Sequence, residues 1–404
     1  MKLVKTAALA AVLVLLTALT LGLSGCALFE APSSATQSTG TTLTTTSTTQ
    51  TTGTTLVPAV GAEMFRAGLA RTGVYAGGGP ATFGGVAWKF KAGENTGTLP
   101  WSSPAVADGV ACFGATDKYV YALDLVSGAF KWKFETGSVI WSSPAVSEGV
   151  VYIGSADKSL HALDLQTGTE KWKFEAAAGV VSSPAVAGGV VYFGANDGIV
   201  HALDAQSGTE KWRFKGGHDV SSSPAVVDGV VYVGSADGYL YALDAQTGDE
   251  KWRYQTAGDV WSTPAVVDGV VYVGSYDTYL HAVDAQSGRG KWTFKTGDGV
   301  VSSPAVVGGV VYVGSLDSFL YAVDAQTGAE KWKFKTGGVV WSSPAVSDTT
   351  VYFGSVDTYL YALDTQTGAE RWKFKTEGEV WSPLAVAGGL VLVGSLDGNM
   401  YALR

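Results

Sequence analysis

Beyond residue 100 the chain alternates short apolar runs with turn residues, and the alternation recurs every 40 positions. In one unit the runs span 302–307, 310–315, 319–325 and 330–336, separated by Gly308-Gly309, Asp317-Ser318 and Gln326-Thr327-Gly328. Runs this short, rich in Val, Tyr, Phe and Trp and free of a helical period, predict β-strands. The recurring Ser/Thr-Gly pair, as in Thr247-Gly248, suits a short bulged hairpin, because glycine supplies the positive φ such a turn requires. Each unit therefore predicts one four-stranded sheet.

The register of the units predicts how the sheets are arranged. Trp132, Trp172, Trp212, Trp252, Trp292, Trp332 and Trp372 lie 40 residues apart, as do Pro104 through Pro344 in a recurring S-[ST]-P-A-V. The eighth copy reaches Tyr401-Ala402-Leu403-Arg404 without its K-W-[KR]-F segment, and an orphan copy, Trp88-Lys89-Phe90-Lys91, precedes the first S-S-P-A-V. A ring whose last blade is completed by the N-terminal strand, residues 86–91, accounts for both observations. A linear solenoid would need atypical capping repeats instead. The expectation is an all-β, closed eight-bladed β-propeller of four-stranded blades, in which radial packing leaves only short, protected edges. Length alone suggests two or three domains, but the repeat argues for one, spanning 61–404.

The first 60 residues have a different character. Lys2 and Lys5 precede an apolar stretch over 7–23 that ends in Leu23-Ser24-Gly25-Cys26, the pattern of a secretory signal over 1–25. The L-S-G-C ending resembles the lipobox of bacterial lipoproteins, which implies that Cys26 becomes a lipidated first residue and attaches the protein to a membrane. Residues 26–60 then form a Thr/Ser-rich tether with no hydrophobic period, expected to stay disordered and to span on the order of 30 Å. Ala27 follows the cysteine, so the expected site is the periplasmic side of an outer membrane, or the outer face of the cytoplasmic membrane in a single-membrane cell. Losing Lys2 and Lys5 and no acid moves the formal charge from −9 to −11, which argues against nucleic acid and against anionic lipid headgroups. The only other cysteine, Cys112, stands where most blades have tyrosine and reads as a buried free thiol.

The segment A-[LV]-D-x-x-[ST]-G-x-x-x-W, from Ala122–Trp132 through Ala362–Trp372, resembles the tryptophan-docking repeat of pyrroloquinoline-quinone (PQQ)-type propellers. The resemblance implies that Trp88, Trp132, Trp172, Trp212, Trp252, Trp292, Trp332 and Trp372 pack across to neighbouring blades. Met64-Phe65-Arg66 followed by Arg71-Thr72-Gly73 is similar to the segment that leads into such propellers. Quinone dehydrogenases of this type use an inner-channel Glu, Asn and Asp around calcium, a catalytic Asp and often adjacent cysteines. Calcium needs several hard oxygen ligands converging on one point. Here the S-[ST]-P-A-V strands carry no carboxylate, Asn95, Asn196 and Asn399 fall outside them, and no Cys-Cys pair exists. HExxH, GxSxG and P-loop patterns are also missing. The expectation is therefore no catalytic residue, no metal, no bound PQQ and no enzymatic activity.

Repeated polar residues invite other readings. Asp117, Asp157, Asp197, Asp237, Asp277, Asp317, Asp357 and Asp397 occupy the turn between second and third strands, where short acidic side chains accept local N–H groups. His161, His201 and His281 replace a packing tyrosine and read as lacking a carboxylate companion. The positions that vary are more informative. Trp101, Trp141, Trp261, Trp341 and Trp381 precede the S-[ST]-P-A-V segments or its blade-eight variant, and Tyr276, Leu316, Val356 and Leu396 precede the turn aspartates. Alternating strand direction places both sets at one end of the ring, a candidate binding face. The leading functional expectation is a non-enzymatic, monomeric, lipid-anchored scaffold for envelope proteins, similar to propeller lipoproteins of outer-membrane β-barrel assembly. A surface receptor or adhesin for a glycan or peptide is the alternative, and a PQQ-dependent dehydrogenase is a third, weaker one.

Overall fold

The computed structural model describes residues 63–93 and 102–404. Among these, thirty-two strands, β1 to β32 in chain order, form eight four-stranded antiparallel sheets. Seven sheets use consecutive strands; in the sixth these are β22 (Ala305–Val307), β23 (Val310–Gly314), β24 (Phe319–Asp324) and β25 (Glu330–Lys335). The eighth contains β30 (Ala385–Ala387), β31 (Leu390–Gly394), β32 (Asn399–Leu403) and β1 (Val86–Lys91). Within it Lys89 lies opposite Tyr401 and Phe90 opposite Met400. The N-terminal strand closes the ring, at the residues the repeat register predicts. Cys26, the 1–25 signal and the 26–60 tether lie outside the described residues.

The innermost strand is shorter than its apolar run: 302–307 yields a strand only over Ala305–Val307. Pro304 has no N–H to place in a ladder, and the two serines before it bond sideways instead. Ser302 Oγ accepts from the Gly314 N–H at 3.2 Å, and the Ser303 N–H donates to Ser343 Oγ in the next blade at 3.0 Å. The same bond links Ser103 to Ser143, Ser143 to Ser183, Ser183 to Ser223, Ser223 to Thr263 and Thr263 to Ser303. This belt breaks at blade eight, where Ser382-Pro383-Leu384 shifts the proline by one position. Pro383 has no N–H to give onward, and the Ser103 hydroxyl that should receive it is buried without a hydrogen-bond partner.

Farther out, tryptophans join successive blades. Trp132 Nε1 donates to the Leu165 carbonyl at 2.9 Å, Trp172 to Ala205 at 3.1 Å and Trp332 to Thr365 at 3.1 Å. Trp212, Trp252 and Trp292 make the same bond to Ala245, Ala285 and Ala325. Across the closure Trp88 reaches Leu125 and Trp372 reaches Pro80, so the residues before β1 stand in for the missing turn of blade eight. The turn glycine beneath every one of these rings but Trp372 serves twice. Gly168 has φ 72°, and a Cβ there would come within 2.6 Å of Trp132. Each such ring removes about 150–250 Å² from water, an upper-bound contribution of about 4–6 kcal/mol at about 25 cal/mol/Å².

Candidate functional site

The segment from Glu63 to Tyr75 runs along the inner edges of the blades. Its carbonyls at Glu63, Leu69, Ala70, Thr72 and Gly73 accept from the N–H groups of Val146, Val226, Val266, Val306 and Val346 at 2.6–2.9 Å. These valines end the S-[ST]-P-A-V motif, so the segment satisfies donors that the innermost strands would otherwise leave unpaired. Two arginines complete the attachment. Arg66 donates to the carbonyls of Pro304, Pro344 and Arg71, and Arg71 to those of Ser183, Pro184, Pro224 and Phe65. The Tyr75 hydroxyl donates to the Leu384 carbonyl at 3.0 Å and lies beside the Ser103 hydroxyl, which receives no N–H from blade eight. The segment thereby touches blades two through eight and plugs the channel.

Neither guanidinium meets a carboxylate among the described residues. Burial lowers Arg66 to about 10 and Arg71, with the added repulsion of Arg66, to about 9, and both remain cationic at neutral pH. Backbone strain accompanies them: Arg66, Ala67 and Arg71 adopt left-handed φ values of 59°, 67° and 53°. Strain of this kind costs about 1–3 kcal/mol per residue and persists only where surrounding contacts over-determine it. Seven carbonyl acceptors supply that determination.

Strand direction fixes which end is closed. The plug pairs with valines next to the turn between first and second strands, hence at that end of the ring. The turns between second and third strands lie at the other end, hydrogen-bonded to the crossings between blades: Tyr276 N–H to Asp259, Leu316 to Gly299, Val356 to Val339 and Leu396 to Glu379. Both variable sets thus share the end opposite the plug. Trp341 and Trp381, on adjacent blades, stack with centroids 5.5 Å apart, and Trp261 meets Tyr276 edge-on at 5.0 Å.

Exposure differs from the sequence expectation. Trp141, Trp261, Tyr276, Leu316, Trp341, Val356 and Leu396 are half-buried and Trp381 is buried, because the rings lie on one another and on the turns. Trp101 lies outside the described residues. The large apolar side chains that are exposed among the described residues are Val86, Val126 and Phe130, around the seam of blades eight and one, and Phe83, against Trp372 and Phe374 of blade seven. Sequence reading missed them, although Val86 and Phe130 occupy the position held by Glu170, Glu210, Glu250, Glu330 and Glu370 in other blades.

The turn aspartates are engaged locally. All eight accept the N–H two residues on, as Tyr239 N–H to Asp237 at 3.0 Å, and most take a second N–H from the preceding crossing, as Gly217 to Asp237 at 2.8 Å. The histidines require a correction, since each has a carboxylate partner. His161 bonds Asp157 at 3.0 Å and Glu170 at 2.8 Å, His201 bonds Glu210 at 2.8 Å, and His281 bonds Asp277 at 3.0 Å. Burial disfavours the His161 cation, but the two carboxylates outweigh it and raise its pKa. No cluster of three or more His, Cys, Asp or Glu side chains suited to a metal occurs among the described residues.

The fold, its docking tryptophans and its closure define a PQQ-like β-propeller. Within that class the chain resembles the outer-membrane assembly propeller BamB: the family model described as outer membrane protein assembly factor BamB matches residues 79–213. A second model, the β-propeller of the β-alanine-activating enzyme, matches residues 227–404. BamB from Moraxella catarrhalis is 22% identical with a TM-score of 0.69, covering 79% of this chain and 99% of that one. A europium-containing methanol dehydrogenase is 16% identical with a TM-score of 0.73, covering 85% and 98%. The quinohemoprotein alcohol dehydrogenase of Comamonas testosteroni is 16% identical with a TM-score of 0.72, covering 85% and 80%. Identities this low speak for the fold alone. No curated protein matches the sequence significantly.

Proposed function

We propose that this chain is a non-enzymatic, lipid-anchored propeller that offers its variable end to other envelope proteins, in the manner of an outer-membrane assembly scaffold. The observation that carries this reading is the asymmetry of the channel. One end is filled by residues 63–75, and the other bears half-buried tryptophans, Tyr276 and Leu316 that change from blade to blade. Half-buried aromatic rings held by neighbours suit interface anchors, because little side-chain entropy is lost when a partner covers them. The BamB-like matches favour a protein partner. Lipidation at Cys26 would hold the propeller at a membrane, and a Cys26→Ser protein should then appear in the soluble fraction.

The dehydrogenase neighbours raise the question of a quinone beside a hard cation. Such a cation needs several hard oxygen donors, carboxylates foremost. Here the inner serines are engaged in the inter-blade belt, and Arg66 and Arg71 place two positive charges in the channel. These residues do not fit that group.

Photo-crosslinking in native cells from Tyr276 and Leu316, with Lys333 on the outer strand as control, tests the scaffold. A discrete envelope protein captured from the variable end and not from the rim is the expected result. The absence of any protein adduct from the variable end would overturn it in favour of a glycan or small-molecule receptor, a reading to which the Trp341–Trp381 stack lends itself.

A further inference from the structure

Between the outer strands of blades one and two lies a cleft of about 380 Å³, lined by Phe134, Glu135, Ser159, His161, Lys173 and Glu175 among others. Its origin is visible by comparing the repeats. The position of Ser159 holds Tyr119, Ile199, Tyr239, Tyr279, Phe319, Tyr359 and Asn399 in the other blades, so blade two alone has a residue this small. Where a ring is present, it takes two recurring neighbours. A lysine or arginine from the outer strand lies over it: Lys133 over Tyr119 at 4.4 Å, Arg253 over Tyr239 at 5.1 Å and Lys373 over Tyr359 at 5.5 Å. The ring two residues on packs against it, as Tyr121 on Tyr119 at 6.1 Å and Tyr241 on Tyr239 at 5.9 Å.

Blade two keeps both neighbours and lacks the ring. Lys173 stands where Lys133 stands, and His161 takes the place of Tyr121 with Phe134 edge-on behind it at 5.5 Å. Blade one also shows what a hydroxyl at the far side of the ring would meet. Glu135 is the cross-strand partner of Tyr119 and its carboxylate disfavours ionisation of the phenol, and in blade two the carboxylate opposite Ser159 is Glu175. His161 is fixed by Asp157 and Glu170 and presents a ring face that does not swing away. We propose that this cleft binds a phenol, seated in the space of the missing tyrosine with its ring between Lys173 and His161 and its hydroxyl donating to Glu175. Cation–π and ring contacts supply the attraction. This site is separate from the docking reading and does not depend on it.

The test uses p-cresol as probe against the mature full-length protein, followed by NMR of the ligand. Binding on the order of millimolar is expected for a fragment of this size. Ser159→Tyr, which restores the residue of blades one, four, five and seven, should weaken it at least tenfold, whereas Ser159→Ala should leave it unchanged. Lys173→Met should weaken it several-fold while leaving the far-ultraviolet spectrum intact. No binding to the wild type, or equal binding to Ser159→Tyr, would overturn the proposal. A Gly-Tyr-Gly peptide separates the two sources of the phenol: tenfold tighter binding than p-cresol assigns a tyrosine side chain of a polypeptide, and equal or weaker binding assigns a free phenol.

Discussion

At the plugged end, the inner strands give their last N–H groups to one continuous segment, and two arginines gather seven carbonyls. At the other end the same strands begin beneath side chains that differ in every few blades, held by ring contacts and single turn hydrogen bonds. The repeat unit is common to both, so the difference lies in what the chain adds. A backbone segment with strained residues and buried cations makes the closed end a structural commitment. The open end carries variation that the scaffold tolerates. Stability should therefore reside at the first and recognition at the second.

The largest effect expected from this contrast is at Arg71. Arg71→Ala leaves four buried carbonyls without their donor and empties the space of a fully buried side chain. It should cost about 3–5 kcal/mol in urea unfolding of the protein. Trp341→Ala at the open end gives up one stacking contact and partial burial, and about 1–2 kcal/mol is expected in the same assay. Equal losses at the two sites would remove the contrast.

The serine belt offers a finer comparison. Ser143→Ala removes the acceptor of the Ser103 N–H and leaves that donor buried, for an expected loss of about 1–2 kcal/mol. Ser103→Ala removes a hydroxyl that receives no belt N–H, because Pro383 cannot donate to it, and its thermal midpoint should stay within about 1–2 °C of the parent's.

The smallest effect concerns pH at the rim of the open end. His161 has its pKa raised above 6.5 in the fold, so its contribution is fully present below pH 6.5 and is lost as pH rises through the folded value. Burial alone would raise Asp157, but hydrogen bonds from His161 and the Gly137 N–H overcome it and hold the carboxyl at about 2. That contribution is present above pH 3.8 and lost as pH falls toward 2. Denaturant midpoints from pH 6 to 9 should therefore decline more in the parent than in His161→Tyr. Parallel curves would show that the ion pair carries no net stability.

The ring, its eight blades and its closing strand were legible because a 40-residue period records them directly, and a missing K-W-[KR]-F in one copy matches an extra one elsewhere. The plug was not legible as a plug. Met64-Phe65-Arg66 and Arg71-Thr72-Gly73 stand outside any repeat, so no register assigns them partners, and two arginines in an apolar, glycine-containing context were the available signal. The histidine partners were missed for a related reason. Asp157 and Asp277 read as turn acceptors, and a turn aspartate has a second oxygen to offer the side chain four residues on. The place of Trp381 at one end of the ring does not say whether a neighbouring side chain covers it, and the stacked Trp341 ring helps bury it.

Closure by β1 has a consequence for how the molecule forms. Lys91 donates to the carbonyl of Asp397, 306 residues away along the chain. A pairing that distant cannot form until the last strands exist, and loop-closure entropy opposes it until the intervening blades shorten the gap. The first strand among the described residues is thus among the last to find its place. Until then blade eight offers an unpaired outer edge, and any chaperone that guards a folding intermediate of this protein has that edge to guard.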